Sequence, residues 1–276
     1  MASESNGRKP ESAAPNSGIV SRVSARAPSA WGAVRDALAA VHNVAALLRN
    51  EGVPHRTILD LLPELRSSGG ELRAAFERPA TDDAVTDVGA YGAGLVGQLD
   101  ALLDAVGAAG DESTDRMTQA DQAGTLALDL EACADLLALL DRAAAPVATE
   151  VSLNLIAREA GRMSGTARGR EMIVQFQEAS PDCVISTDPY ILAPVLSLLS
   201  ACTHAAGVNA LVLRARSTPE PSFVTEAATM ADAALPTLAL RVTSWVPPSA
   251  AAARRVAERI GAVIDLQGKR CSIVLR

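Results

Sequence analysis

His42 sits in the run Val41-His42-Asn43-Val44-Ala45-Ala46-Leu47-Leu48, an imidazole beside the apolar stripe of a helical segment. An exposed ring there can carry a transferred group on nitrogen. A partly exposed helix histidine with no chemistry is the other reading, and the residues leave both open. His55 follows Pro54 at a helix start and reads as solvated. His204 falls near the end of an apolar helix, where a cation suits the helix dipole. The three histidines are too dispersed for a zinc site, and no metal site is expected. Cys133, Cys183, Cys202 and Cys271 lie in apolar surroundings without a Cys-x-x-Cys pair, and read as reduced, buried small hydrophobes. The Asp and Glu residues read as solvated helix faces with no catalytic carboxylate pair.

The composition narrows the classes open to the chain. It is 49% hydrophobic but only 3% aromatic, so its core is Ala, Leu and Val, a mixture that favours closely packed helices. Trp31 and Trp245 read as packing anchors rather than ligand platforms. A net charge of −7 and the lack of a Lys/Arg cluster argue against nucleic acid as a partner. No apolar run is long enough to span a bilayer, so no membrane partner and a cytoplasmic location are expected.

These side chains must be positioned by two kinds of structure. Residues 1–28 have the composition of a disordered tail. Apolar residues at helical spacing then mark four helices, over 30–50, 55–76, 84–109 and 114–145, with Pro63 and Gly69-Gly70 predicting a kink or split in the second. They form two hairpins, 29–78 and 84–146, of a helical bundle over 29–148. The glycines of the third helix (Gly89, Gly92, Gly94, Gly97) permit close helix approach. Ala30-Trp31-Gly32-Ala33 and Ala90-Tyr91-Gly92-Ala93 echo each other at matching points of the two hairpins.

From 149 to 276 the texture becomes mixed. Helices are expected over 153–163, 188–206 and 249–260, the second opened by Asp188 at the N-cap and Pro189 at the first helical position. Strands are expected over 172–176, 183–185 (short and buried), 210–216 (one face wet), 237–244, 263–266 and 271–275, with 217–235 a polar loop. The fold class is α+β: a helical bundle followed by an α/β sandwich.

The order of these elements, with Asp188 and the Leu198–Ala201 helix between strands, resembles the ATP-binding domain of histidine kinases over roughly 150–276. The resemblance also shows what this chain lacks. The family's Asn-Leu-x-x-Asn-Ala box reads Ser197-Leu198-Leu199-Ser200-Ala201 here, so Ser200 stands where an Asn amide would hold Mg²⁺. The Val-x-Asp-x-Gly-Pro-Gly box reads Val242-Thr243-Ser244-Trp245-Val246-Pro247-Pro248, with Ser244 in place of the adenine-binding Asp and bulk at Val246 and Pro248. Ser249-Ala250-Ala251-Ala252-Ala253 follows at once, where a glycine-rich phosphate lid would lie. The resemblance therefore implies a degenerate pocket at Ser197, Ser200, Ser244, Val246 and Pro248, with no cofactor and no productive ATP binding.

The upstream helices resemble the same family's dimerisation and phosphotransfer hairpin in two competing places. Around Gly94-Leu95-Val96-Gly97-Gln98-Leu99, Gly97 replaces the phospho-accepting His; around Val41-His42-Asn43-Val44, His42 is kept and Asn43 replaces the acidic neighbour. The resemblance implies a two-component signalling protein, acting as phosphotransferase or adaptor for a response-regulator receiver domain or another signalling protein, with His42 as phospho-acceptor. Its alternatives are a scaffold with no phosphoryl chemistry and a working kinase with divergent boxes. The helix count further suggests a homodimer or an intramolecular pseudo-dimer through the bundle.

Overall fold

The structure is a computed structural model and describes residues 29–109, 115–164, 170–242 and 244–276. The tail expected at 1–28 and the side chain of Trp31 lie outside the described residues.

Four helices come first: α1 (Ser29–Arg49), α2 (His55–Phe76), α3 (Asp83–Ala108) and α4 (Arg116–Ala143). Each packs on two neighbours, in the ring α1–α2–α3–α4 and back to α1, so one chain closes an antiparallel four-helix bundle. Its core is aliphatic, with Val41, Leu48, Ile58, Leu72, Leu99, Leu103, Leu130 and Leu137 at most 2% exposed. The second helix runs through Pro63 and Gly69-Gly70 without the expected split. Gly69 is buried and Leu62, Leu65 and Leu72 flank it on the inner face, so packing outweighs the local propensity cost.

Helix ends are tied across the bundle. Asp82 caps α3 by accepting from the Ala84 and Val85 amides. Arg116 at the start of α4 donates to the Leu47, Leu48 and Asn50 carbonyls, satisfying the open end of α1. Exposed pairs Arg49–Asp121, Arg66–Asp104 and Arg73–Asp100 join neighbouring helices and contribute about 0–1 kcal/mol each.

The rest of the chain runs β1 (Thr149–Ser152), α5 (Leu153–Ser164), β2 (Arg170–Gln177), β3 (Val184–Thr187), α6 (Pro189–Ala205), β4 (Leu211–Arg216), β5 (Ser222–Ala227), β6 (Thr237–Val242), α7 (Ser249–Arg259), β7 (Ala262–Gln267) and β8 (Arg270–Leu275). The strands make a two-stranded antiparallel sheet, β1–β3, and a six-stranded mixed sheet in the order β6-β2-β4-β5-β8-β7, with β2 and β4 parallel. Helices α5, α6 and α7 pack on the larger sheet. Molecule-wide, this is an α+β protein, and no described helix is long and apolar enough to cross a membrane.

Three expectations are corrected here. The supposed polar loop 217–235 contains β5, whose Phe223 and Thr225 are fully buried and which pairs with both β4 and β8. Because β5 takes that central place, β6 is an edge strand paired only to β2. The wet face expected for β4 is largely covered: the 228–236 connection returns from β5 to β6, bonding Ala228 N–H to Ala210 O and Phe176 N–H to Pro236 O, and Val212 is 0% exposed. The short strand at Val184 is buried on one face only: Ile185 and Thr187 are buried in the small two-stranded sheet, whereas Val184 is 67% exposed.

Candidate functional site

Helix α1 places His42 between the buried Val41 and the exposed Asn43, on the flank that meets α4. The His42 side chain is 25% exposed and Glu131, on α4, is 15% exposed. Nε2 of His42 is wholly enclosed and lies 3.5 Å from Glu131 Oε2, an ion-pair distance without hydrogen-bond geometry. An imidazole and a carboxylate so placed make a pair that strengthens when the ring gains a proton or a positive charge. Glu131 lies 89 positions from His42 in sequence, and only the α1–α4 packing joins them. Gly97, the competing position, is exposed on α3, and an added Cβ there would meet nothing within 4 Å.

The pocket-like positions of the C-terminal half are closed. Ser200 on α6 is 0% exposed and its Oγ finds no hydrogen-bond partner. One turn on, Thr203 Oγ1 donates to Leu199 O and lies 2.8 Å from Thr225 Oγ1 on β5, so this side of α6 is packed against the sheet. Ser197, Ser244 and Pro248 are half-buried, and residue 243 lies outside the described residues. Val246 is 1% exposed; its N–H donates to Ser249 Oγ, and Ser249 N–H donates back to Val246 O. That reciprocal turn leads straight into α7, with no chain between Pro248 and the helix.

The other two histidines lie apart from this pair. His204 sits in the last turn of α6 with Nδ1 3.3 Å from Val208 O. His55 is half-buried rather than solvated, and its Nε2 is enclosed without a hydrogen-bond partner. All four cysteines are free thiols; Cys133 and Cys271 are buried, Cys183 and Cys202 half-buried. Burial and the nearby Asp129 push the Cys133 thiol up to about 12. Burial and contact with Cys271 do the same for Cys202, again about 12, so neither offers a thiolate at neutral pH.

What sequence reasoning missed is the seam between the two halves. Asp188, 1% exposed, caps α6 through the Tyr190 amide, accepts from the Val147 amide, and takes two guanidinium nitrogens of Arg142, from the end of α4. Asp82, besides capping α3, accepts from Arg255 at 2.7 Å and from Arg259 of α7, and Arg259 also donates to Leu140 O. Two open clefts of about 440 and 420 Å³ flank the 78–82 loop beside this seam, the first lined by Arg78 and Asp141, the second by Asp83, Asp87 and Arg254. Asp188-Pro189 announced the α6 cap, but nothing in one dimension announced the distant arginines of Asp188 and Asp82.

Asp82 at this seam, and Asp232 beyond β5, are more acidic than usual. Burial pushes Asp82 upward, but the Arg255 hydrogen bond, the Val85 and Ala84 amides and the Arg259 charge outweigh it and hold the carboxyl below 3.8. Asp232 is lowered by the Thr229 amide and hydroxyl and by Arg214, which bridges Asp232 and Glu226 at 2.6 Å each. A carboxyl whose folded value is depressed contributes stability above its ordinary value and loses it as pH falls through the folded one. Urea midpoints measured from neutral pH downward should therefore hold until about 3.8 and then drop. Asp232→Asn should be weaker than wild type at neutral pH, with the gap closing on acidification; a gap independent of pH would show that the charge of Asp232 does not matter.

No protein-family model matches the chain, and a search of curated proteins likewise returns no match.

Proposed function

We propose that the chain is a two-component signalling protein of degenerate histidine-kinase-like architecture, a phosphotransferase or adaptor for a response-regulator receiver domain that does not use ATP productively. The observation that carries this reading is the contrast within the C-terminal half. It keeps an Asp-capped α6 over a mixed sheet, in the order that resembles the ATPase-type domain, while Ser200 is enclosed and Val246 is locked in a turn where that resemblance would put nucleotide-binding groups. The bundle supports it from the other side: one chain supplies all four helices, with His42 on the first hairpin and Gly97 on the second, as an intramolecular pseudo-dimer would.

A scaffold without phosphoryl chemistry is the second reading, favoured by the enclosed Nε2 of His42. Radiolabel transfer from a phosphorylated receiver domain separates the two. The expected result is label on the wild-type chain, none on His42→Ala, and a monomer by light scattering. An unlabelled wild type leaves the scaffold; label that persists in His42→Ala moves the acceptor elsewhere; a dimer joined through α3 and α4 removes the pseudo-dimer.

A further inference from the structure

We propose that Cys202 and Cys271 are a redox pair: a hydroperoxide oxidises Cys202, Cys271 closes the disulfide, and β8 is clamped to α6. The proposal is independent of the phosphotransfer reading above.

The fold brings together two thiols that are distant in sequence. Cys202 lies on α6 and Cys271 on β8, and the two elements are in contact. Thr203, next to Cys202, meets Thr225 through their hydroxyls at 2.8 Å, and the Thr225 hydroxyl also donates to Leu199 O. Thr225 on β5 stands directly opposite Cys271 in the β5–β8 ladder, so the two side chains share the face of the sheet that α6 covers. Leu199, Cys202 and Thr203 share one face of α6, at i, i+3 and i+4. The two thiols meet there in a hydrogen bond. Cys271 is 0% exposed and Cys202 is half-buried, so solvent reaches the pair from the Cys202 side.

Thiols in contact do not titrate alone. Burial, the hydrogen bond and the charge of an ionised Cys271 all push the Cys202 thiol up, so the pair gives up one proton and keeps the other between its sulfurs. Transfer of the kept proton along the hydrogen bond leaves the anion on Cys202, the sulfur on the solvent side.

The step balances with hydrogen peroxide, the simplest hydroperoxide, as oxidant. The Cys202 sulfur attacks one peroxide oxygen, the O–O bond breaks, and the hydroxide that leaves takes a proton from solvent. Cys202 is then a sulfenic acid. The Cys271 sulfur attacks it, the S–S bond forms, the S–O bond breaks, and the second hydroxide leaves with the Cys271 proton as water. The two thiols lose two electrons, and one peroxide becomes two waters. The new bond ties the last strand to the helix whose cap, Asp188, holds Arg142 of the bundle. A tie across so long a stretch of chain restricts the unfolded state, so the oxidised protein resists unfolding more than the reduced one.

The test uses the full chain, reduced, treated with hydrogen peroxide under native conditions until its thiol count is constant, then denatured, alkylated and mapped by mass spectrometry. Of the four thiols, Cys133 and Cys183 should remain, beside a peptide pair joined through Cys202 and Cys271. The urea midpoint should rise on oxidation and return to its starting value with a thiol reductant. Cys271→Ala removes the second sulfur and leaves a small apolar group in the core. It should stop at the Cys202 sulfenic acid, trapped by dimedone, with no rise in midpoint. Cys202→Ala, on the solvent side, should leave Cys271 unreacted. Four free thiols in the treated, folded wild type overturn the proposal, as does a disulfide joining any other two cysteines or one that forms only in urea. Oxidation of Cys271 in Cys202→Ala overturns the assigned order of attack.

Discussion

Gly89→Ala should destabilise the protein by about 2–3 kcal/mol, against the usual gain for replacing a helical glycine. A Cβ at Gly89 would stand 2.4 Å from Phe76 O, and backbone cannot swing aside. Gly92→Ala meets the Phe76 ring at 2.7–2.9 Å; the ring can shift a little, so about 1–2 kcal/mol is expected. These two glycines let the end of α2 lie against α3, with Phe76 3% exposed between them. Gly94 and Gly97 sit on the same helix with open space above them, so alanine there should stabilise by about 0.5–1 kcal/mol each. Four single variants in urea unfolding decide it: loss, smaller loss, gain, gain. A Gly89→Ala protein as stable as wild type would mean that α2 and α3 do not meet as described.

The second large effect is at Asp188. Removing a buried charge partner costs about 3–5 kcal/mol in the general case, and the Arg142 side chain is 37% exposed, so Asp188→Ala is placed at the low end, about 3 kcal/mol. That figure includes about 1 kcal/mol for the lost α6 cap. Asp188→Asn keeps an oxygen for the Tyr190 amide and should lose about half as much. Arg142→Ala leaves a fully enclosed carboxylate with only amide donors and should fall between them. In a double-mutant cycle the pair should couple by more than about 1 kcal/mol. Additive single effects would reduce Asp188 to a cap and Arg142 to a surface residue.

Much of the fold was legible because its signals are local. Leu and Val at helical spacing, Asp188 as a cap, and Pro189 at the first helical turn placed the helices to within a residue or two. β5 was hidden because Pro219 and Pro221 precede it and Glu226 lies near its end, the composition of a loop. Only burial of Phe223 and the Thr225–Thr203 contact reveal a central strand, and both are tertiary. β4 misled in the opposite sense: Arg214 and Arg216 suggested a wet face, but Asp232, on the 228–236 connection, and Glu226, on the neighbouring β5, both hold Arg214. For the candidate site, His42 stood out in its own stretch, whereas Glu131 looked like one more acid on a helix. Its meaning depends on the order in which four helices close a ring.

Helix α4 is apolar on nearly every side over its second half. Ala132, Cys133, Ala134, Leu136, Leu137, Leu139, Leu140 and Ala143 are all at most 5% exposed, because the bundle covers one flank and α6 and α7 cover another. Such a rod cannot be stripped on one flank without wetting side chains that the opposite half also relies on. Melting of the sandwich and melting of the bundle are thereby linked into one cooperative event. The amides of α4 are then the last to exchange with deuterium, released only when the whole molecule opens.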